Sequence, residues 1–207
     1  MDSGYQDPPP ALLSRIVRRL MLWFYKTRGW KAVGAPPADR RCVVIAAPHT
    51  SNWDFVNLLG LTADLGIKVH FMGKQSLFRW PMRRFMLDMG GVPIDRSARH
   101  NTVELMAAEF KRRKEFMLVI APEGTRSAVG QWRTGFYHIA RAAGVPLVIG
   151  MMDYGKKTGG LGPAIWPTGD FRADMAKVVE FYRNTTPRHP NRAITDFETL
   201  MGADSRD

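Results

Sequence analysis

The sequence is poor in the features that define several large classes of protein. Among its 207 residues there is a single cysteine, Cys42, so no intrachain disulfide can form and the chain is compatible with a reducing compartment. No apolar run approaches the ~18 residues that a membrane-spanning helix needs. Residues 1–10 are acidic and proline-rich, unlike a cleaved signal, so we expect a cytoplasmic protein without a transmembrane helix.

The patterns of common cofactor sites are also missing. There is no G-x-G-x-x-G or Walker-type loop for phosphates, and the five histidines lack the closely spaced cysteine or carboxylate partners of a metal site. We therefore expect neither a resident cofactor nor a metal ion.

Negative charge is scarce, because 19 Asp and Glu face 30 Lys and Arg, for a net charge of +11. This balance predicts an anionic partner, such as a membrane surface, an acidic substrate or carrier, or nucleic acid. Recognisable nucleic-acid-binding motifs are absent and the basic residues are scattered, so we expect no nucleic acid partner.

For the first part of the chain, residues 1–33, the sequence predicts a loose tail followed by an amphipathic helix over 11–32. Its basic and aromatic side chains suit a helix that lies in the lipid headgroup layer. A helix packed on the domain, with a solvated basic face, is the alternative. Residues 34–207 form the second part, which we predict to be one domain.

From residue 41 onward, apolar runs alternate with helical patterns. The alternation predicts an α/β fold with a mostly parallel central sheet covered by helices on both faces, in addition to the N-terminal amphipathic helix. The expected strands are 42–47, 68–72, 92–94, 116–121 and 145–150, and the expected helices are 52–64, 77–88, 101–114, 134–143 and 172–183. Residues 152–171 predict a glycine-rich flap, and residues 186–193 an exposed basic tail.

Polar side chains stand directly after the first strand, in VVIAAPHTSNWDF at residues 43–55. If His49 lies in the turn and Asp54 in the first turn of the helix, the carboxylate can hold one ring nitrogen. The other nitrogen is then available to accept a proton. A structural histidine is the alternative, because this spacing also arises by chance. We expect Ser51 to serve the helix start rather than to act as a nucleophile.

Two further loops carry charged residues after predicted strands. APEGTRS, residues 121–127, contains Gly124, which permits a tight turn, between Glu123 and Arg126. GGVPIDRS, residues 90–97, ends another strand with Asp95 and Arg96. Arginine is suited to clamp a phosphate through two parallel hydrogen bonds, whereas local salt bridges are the ordinary alternative.

Together these blocks resemble the glycerolipid acyltransferase family, typified by bacterial lysophosphatidic acid acyltransferase. The family's four motifs are matched in order by HTSNWD, GVPIDR, EGTR and VPLVIG, within about residues 40–150. One departure is Pro48, where the family often has asparagine before the histidine.

The resemblance implies an O-acyltransferase that moves a fatty acyl group from acyl-CoA or acyl carrier protein to a hydroxyl of a lysophospholipid-type acceptor. Residues 34–207 would be the acyltransferase domain, peripheral on an anionic membrane surface, with His49 as general base and Asp54 as its orienting carboxylate. The implied acceptor- and phosphate-binding residues are Lys74, Arg96, Glu123, Gly124, Thr125 and Arg126. A non-catalytic module that binds anionic lipid and an acyl-thioester hydrolase remain the alternatives.

Overall fold

A seven-stranded sheet forms the centre of the protein, for which a computed structural model describes residues 5–94, 102–127 and 131–193. The strands are β1 (Lys31–Val33), β2 (Arg41–Ala46), β3 (Val69–Lys74), β4 (Gly91–Ile94), β5 (Phe116–Ile120), β6 (Leu147–Asp153) and β7 (Thr158–Ile165). The α-helices are α1 (Leu12–Thr27), α2 (Trp53–Asp64), α3 (Arg83–Asp88), α4 (Thr102–Arg112), α5 (Gly135–Ala143) and α6 (Phe171–Tyr182).

The strand order is β1-β7-β6-β2-β5-β3-β4, and every neighbouring pair is parallel except β6 and β7. Strand β2 therefore lies in the middle of the sheet, between β6 and β5. Its side chains alternate between two faces. Val43 and Ile45 pack with α4, α5 and α6, whereas Cys42 and Val44 pack on the side of α2. This arrangement confirms the predicted α/β fold with helices on both faces of a mostly parallel sheet.

The prediction of a flap at residues 152–171 is wrong, because β7 occupies much of this segment and pairs antiparallel with β6. Its glycines concealed the strand, since glycine has a low strand propensity. One of them is required by the close approach of the edge strand β1: a Cβ atom on Gly160 would lie 2.3 Å from the carbonyl oxygen of Val33.

The single helix predicted over residues 77–88 is also wrong. A 3-10 turn at Gln75–Phe78 and the short helix α3 replace it. Pro81, between these two pieces, lacks an N–H group and disfavours helical geometry in the residue before it.

Helix α1 is amphipathic, as predicted, but it ends at Thr27 and is followed by β1. Its inner side chains Ser14 and Tyr25 are buried against α2 and its surroundings. None of the helices in the described residues has the length and hydropathy needed to cross a membrane. The division of the chain after residue 33 stays a prediction, and β1 on one side of it pairs with β7 on the other.

The segment before α1 is held by charged groups. Asp88 accepts hydrogen bonds from Ala11 N–H at 2.9 Å and from the Ser14 hydroxyl at 2.8 Å, which anchors the start of the helix. Asp7 pairs with Lys68 and His70 at 2.8 Å and with Arg113 at 2.6 Å. These contacts attach the N-terminal segment to the amino-terminal edge of the sheet.

Candidate active site

The carboxyl ends of three adjacent strands form the rim on which the candidate site is built. Strands β6, β2 and β5 are neighbours, and β2 runs parallel to both of the others. The loops that follow them carry Tyr154, His49 and Glu123, respectively. Because parallel strands end at the same edge, residues far apart in the sequence meet there.

The HTSNWD turn brings His49 and Asp54 into contact. Asp54 is the second residue of α2, and its Oδ2 lies 3.0 Å from His49 Nδ1. The same oxygen accepts the backbone N–H groups of Thr50 at 3.0 Å and Ser51 at 2.9 Å, so the carboxylate closes the turn that holds the ring. A carboxylate can only accept, so Nδ1 carries the proton in this bond. In the neutral ring, Nε2 then holds the lone pair that can take a proton.

The second oxygen of Asp54 has its own partner. Tyr154 donates its hydroxyl to Oδ1 at 2.6 Å, and Asn57 Nδ2 donates to that hydroxyl at 3.2 Å. Burial of Asp54 by itself raises its pKa, but the hydrogen bonds from His49, Tyr154 and Ser51 outweigh burial and hold the pKa below its ordinary value. The group is therefore a carboxylate near neutral pH.

Glu123 supports the turn from the other side. Its Oε1 accepts the backbone N–H of His49 at 3.1 Å, and the residue is only 3% exposed. This burial raises the pKa of Glu123 above its ordinary value. Its Oε2 is buried, with no hydrogen-bond partner in the part of the chain that the structure describes. Glu123 thus fixes the backbone from which the imidazole projects.

The rest of the EGTR segment turns back toward the same site. Gly124 has φ +66°, a left-handed conformation that favours glycine. Thr125 Oγ1 accepts the N–H of Ser127 at 3.3 Å. Arg126 donates from Nη1 to Asn52 Oδ1, inside the HTSNWD turn. A guanidinium group from the loop after β5 is therefore next to the turn after β2.

The other two predicted residues are placed differently. Lys74 is the last residue of β3 and is exposed, opposite Ile94 in the register of β3 with β4. Arg96 follows β4 but lies outside the described residues, as does Asp95. The roles of Lys74 and Arg96 in holding the acceptor stay predictions.

Ser51 is 7% exposed, and its Oγ accepts the N–H of Trp53 at 3.2 Å. This contact is the one expected of a hydroxyl at a helix start. No group of three or more His, Cys, Asp and Glu side chains is arranged for a metal ion within residues 5–94, 102–127 and 131–193.

Sequence reasoning missed Tyr154 and the segment after α6. Tyr154 donates its N–H to Thr186 O at 2.8 Å, and His189 donates its N–H to Thr50 Oγ1 at 3.3 Å. The Arg188 guanidinium lies 5.4 Å from the centre of the Trp53 ring. The segment predicted to be an exposed basic tail, residues 186–193, is mostly exposed, but these contacts hold its first part against the site. An aromatic residue among glycines, just past a strand of the sheet, was the available signal.

Comparisons with known proteins identify the family of the chain. The protein-family model described as Acyltransferase matches residues 33–150. The 1-acyl-sn-glycerol-3-phosphate acyltransferase of Salmonella typhimurium is 32% identical over 131 residues, which cover 58% of this chain and 51% of that protein. The protein of the same name from Escherichia coli is 33% identical over 113 residues, which cover 51% and 44%. The chain thus spans about half the length of the curated relatives it matches.

A solved structure shares the fold. The crystal structure of the 1-acyl-sn-glycerophosphate (LPA) acyltransferase PlsC from Thermotoga maritima aligns with a TM-score of 0.56 and 19% identity, covering 82% of this chain and 76% of that one. At this identity the likeness concerns the fold alone. Because the family model spans more than half of the sequence and includes the HTSNWD and EGTR segments, the chain belongs to the Acyltransferase family.

Proposed function

We propose that the protein is an O-acyltransferase that moves a fatty acyl group from acyl-CoA or acyl carrier protein to a hydroxyl of a lysophospholipid-type acceptor. The observation that carries the proposal is the 3.0 Å contact between His49 Nδ1 and Asp54 Oδ2, at the carboxyl rim of the sheet and inside the family's motif. The names of the matched relatives support a 1-acylglycerol-3-phosphate type of acceptor.

The chemistry follows from the orientation of the imidazole. His49 Nε2 takes the proton of the acceptor hydroxyl as its oxygen attacks the thioester carbonyl, so a C–O bond forms and the carbonyl electron pair moves to oxygen. Asp54 stabilises the imidazolium through Nδ1–H. When the tetrahedral intermediate collapses, the C–S bond breaks and the leaving thiolate takes the proton from Nε2. No acyl-enzyme is needed, because the thioester is already activated.

Charged groups near the turn support an anionic acceptor. Arg126 contacts Asn52, in the turn that contains His49, Lys74 is the last residue of β3, and Arg96 comes after β4 in the sequence. In the proposal these cations hold the acceptor phosphate. Glu123, Gly124 and Thr125 shape the loop that presents Arg126.

The outer face of α1 supports attachment to the surface of an anionic membrane. Its outward apolar side chains are between 45% and 70% exposed and comprise Leu12, Leu13, Ile16, Leu20 and Trp23. Exposed Arg15 and Arg19 lie among them in the sequence. Apolar side chains flanked by cations suit the headgroup layer, where a lipid acceptor is also found. We therefore propose a peripheral membrane protein.

The test measures thiol release from acyl-CoA or acyl carrier protein with and without lysophosphatidic acid, and identifies the product by mass spectrometry. We expect release that depends on the acceptor. In His49→Ala it should fall by about 100- to 10,000-fold, the range for loss of a general base. Arg126→Ala should raise the KM for the acceptor by about 10-fold or more, through loss of charge-assisted hydrogen bonds.

Ser51→Ala is the discriminating variant, because it leaves the base in place and should retain most of the activity. Release without acceptor, abolished in Ser51→Ala, would replace the proposal with an acyl-thioester hydrolase. A folded protein that binds anionic vesicles but releases no thiol from either donor would be a lipid-binding module.

A further inference from the structure

We propose that Tyr154 is a positioning residue for the His49–Asp54 pair: its hydroxyl holds Asp54 Oδ1, so that Oδ2 stays directed at the imidazole. This inference rests on the proposed function, because it concerns the same base. Tyr154 lies 100 positions from Asp54 in the sequence, beyond the segment that the family model matches.

The two oxygens of Asp54 have separate tasks. Oδ2 accepts from His49 Nδ1 and from two backbone N–H groups, whereas Oδ1 accepts from the Tyr154 hydroxyl at 2.6 Å. A carboxylate offers about two lone-pair sites on each oxygen, so three donors share Oδ2 while the Tyr154 hydroxyl bonds Oδ1. The bond to Oδ1 restricts rotation about Cβ–Cγ in addition to the three bonds at Oδ2, so its loss loosens the carboxylate and weakens its hold on the ring.

Tyr154 is itself held in place. Its backbone N–H bonds Thr186 O at 2.8 Å, and its ring meets the Trp30 ring edge-on, with centroids 5.0 Å apart. Asn57 donates to its hydroxyl oxygen, so the single hydroxyl proton is directed at Asp54. Burial, followed by the bond to Asp54, raises the pKa of Tyr154, so the phenol remains a donor throughout the working range.

The charged and titratable groups around Asp54 come from four loops. His49 follows β2, Glu123 follows β5, Tyr154 follows β6, and Arg188 follows α6 with its guanidinium 5.8 Å from the Tyr154 ring centre. The substitution Tyr154→Phe removes only the hydroxyl group and leaves the other three groups unchanged. Since that hydroxyl helps to lower the pKa of Asp54, its loss raises this pKa. Because Asp54 is bonded to the His49 ring, this change should move the acid limb of the pH–rate profile to higher pH.

The chain offers a matched control in Tyr137, which donates its hydroxyl to Asp174 Oδ2 at 2.7 Å between α5 and α6. Tyr154→Phe and Tyr137→Phe each remove one phenol–carboxylate bond, which is part-buried at Tyr154 and buried at Tyr137, but only the first bond involves the proposed base pair. For Tyr154→Phe we expect kcat to fall about 10-fold, the loss of one hydrogen bond to a charged group, with both KM values within about twofold. The acid limb should move to higher pH. Tyr137→Phe should keep the wild-type kcat and profile.

Circular dichroism and thermal melts establish that each variant is folded. If Tyr154→Phe does not fold, Asn57→Ala replaces it. Loss of the Asn57 donor weakens the hydrogen bond from the Tyr154 hydroxyl to Asp54. Asn57→Ala should therefore shift the acid limb in the same direction as Tyr154→Phe, but by less. The inference is overturned if the folded variant has the wild-type kcat and acid limb, or if Tyr137→Phe shifts them equally.

A second readout separates this inference from the proposed function. Nitrogen-15 spectra of the His49 ring, assigned with His49→Ala, report its tautomer without any substrate. We expect mainly the Nδ1–H form in the wild type and a smaller fraction of it in Tyr154→Phe. If the wild type transfers no acyl group, the proposed function fails, and these spectra still decide the inference. Identical His49 spectra in both proteins would refute it.

Discussion

Replacing Asp54 by asparagine removes the carboxylate charge and preserves the shape of the side chain. Three donors converge on Oδ2, so the amide oxygen must take that position and the amide NH2 must face Tyr154. The Tyr154 hydroxyl can then accept in place of donating, which leaves no clash. We therefore expect Asp54→Asn to fold and to retain the turn.

The structure sets the size of the effect on stability. Three hydrogen bonds to a charged acceptor become bonds to a neutral one, each weaker by about 1 kcal/mol, while removal of a buried charge offsets part of this loss. The free energy of unfolding should fall by about 1–3 kcal/mol at pH 7. The folded-state pKa of Asp54 lies below its ordinary value of 3.8. Its contribution is therefore fully present above that value and is lost as pH falls through the folded pKa.

The effect on catalysis should be larger. The neutral amide oxygen still accepts from Nδ1–H, but it carries no charge with which to stabilise the imidazolium. We therefore expect kcat to fall by about 100- to 10,000-fold. Thiol release at saturating donor and acceptor measures kcat, and urea unfolding at pH 7 and pH 3 measures stability. Asp174→Asn is the control, because Asp174 is 1% exposed and accepts from Tyr137 away from the proposed base. A kcat within tenfold of wild type for Asp54→Asn would refute the assigned role, as would a stability difference that widens toward low pH.

Two further predictions concern carboxyl groups outside the pair. Burial raises the folded-state pKa of Glu123 above the ordinary glutamate pKa of 4.5. The ionised side chain therefore destabilises the wild type increasingly as the pH rises above 4.5. Glu123→Gln should raise the melting temperature relative to wild type, and more at pH 8 than at pH 4. An equal difference at the two pH values would contradict this. Asp7 has a lowered pKa despite partial burial, because His70, Lys68 and Arg113 bond or attract it. Asp7→Asn should destabilise by about 1–3 kcal/mol at pH 7, and the difference should shrink below the ordinary pKa of 3.8, as followed by urea unfolding. If the difference in unfolding free energy between Asp7→Asn and the wild type is the same at pH 2.5 as at pH 7, the charge of Asp7 contributes nothing to stability.

The sequence by itself was sufficient for the central strands and for half of the site. The apolar runs that became β2 and β5 predicted buried parallel strands, because a strand covered on both faces must be apolar along its whole length. The pairing of His49 with Asp54 could be predicted for a local reason. The two residues are five positions apart, between a strand and a helix, and so short a separation limits the distance between their side chains. The EGTR segment was recognisable through its resemblance to a motif of the family, whose four residues are consecutive in the sequence.

Tertiary structure alone decided which distant groups complete the site. Tyr154 reaches Asp54 across 100 positions and Glu123 reaches His49 across 74, because the strand order β6-β2-β5 aligns their loops. No local pattern specifies that order. Strand β7 was likewise not predicted, because its glycines lower strand propensity. The close approach of β1, which explains Gly160, is visible only in the folded chain. Periodicity and short-range spacing are written in the sequence, whereas the neighbours of a strand depend on the packing of the whole chain.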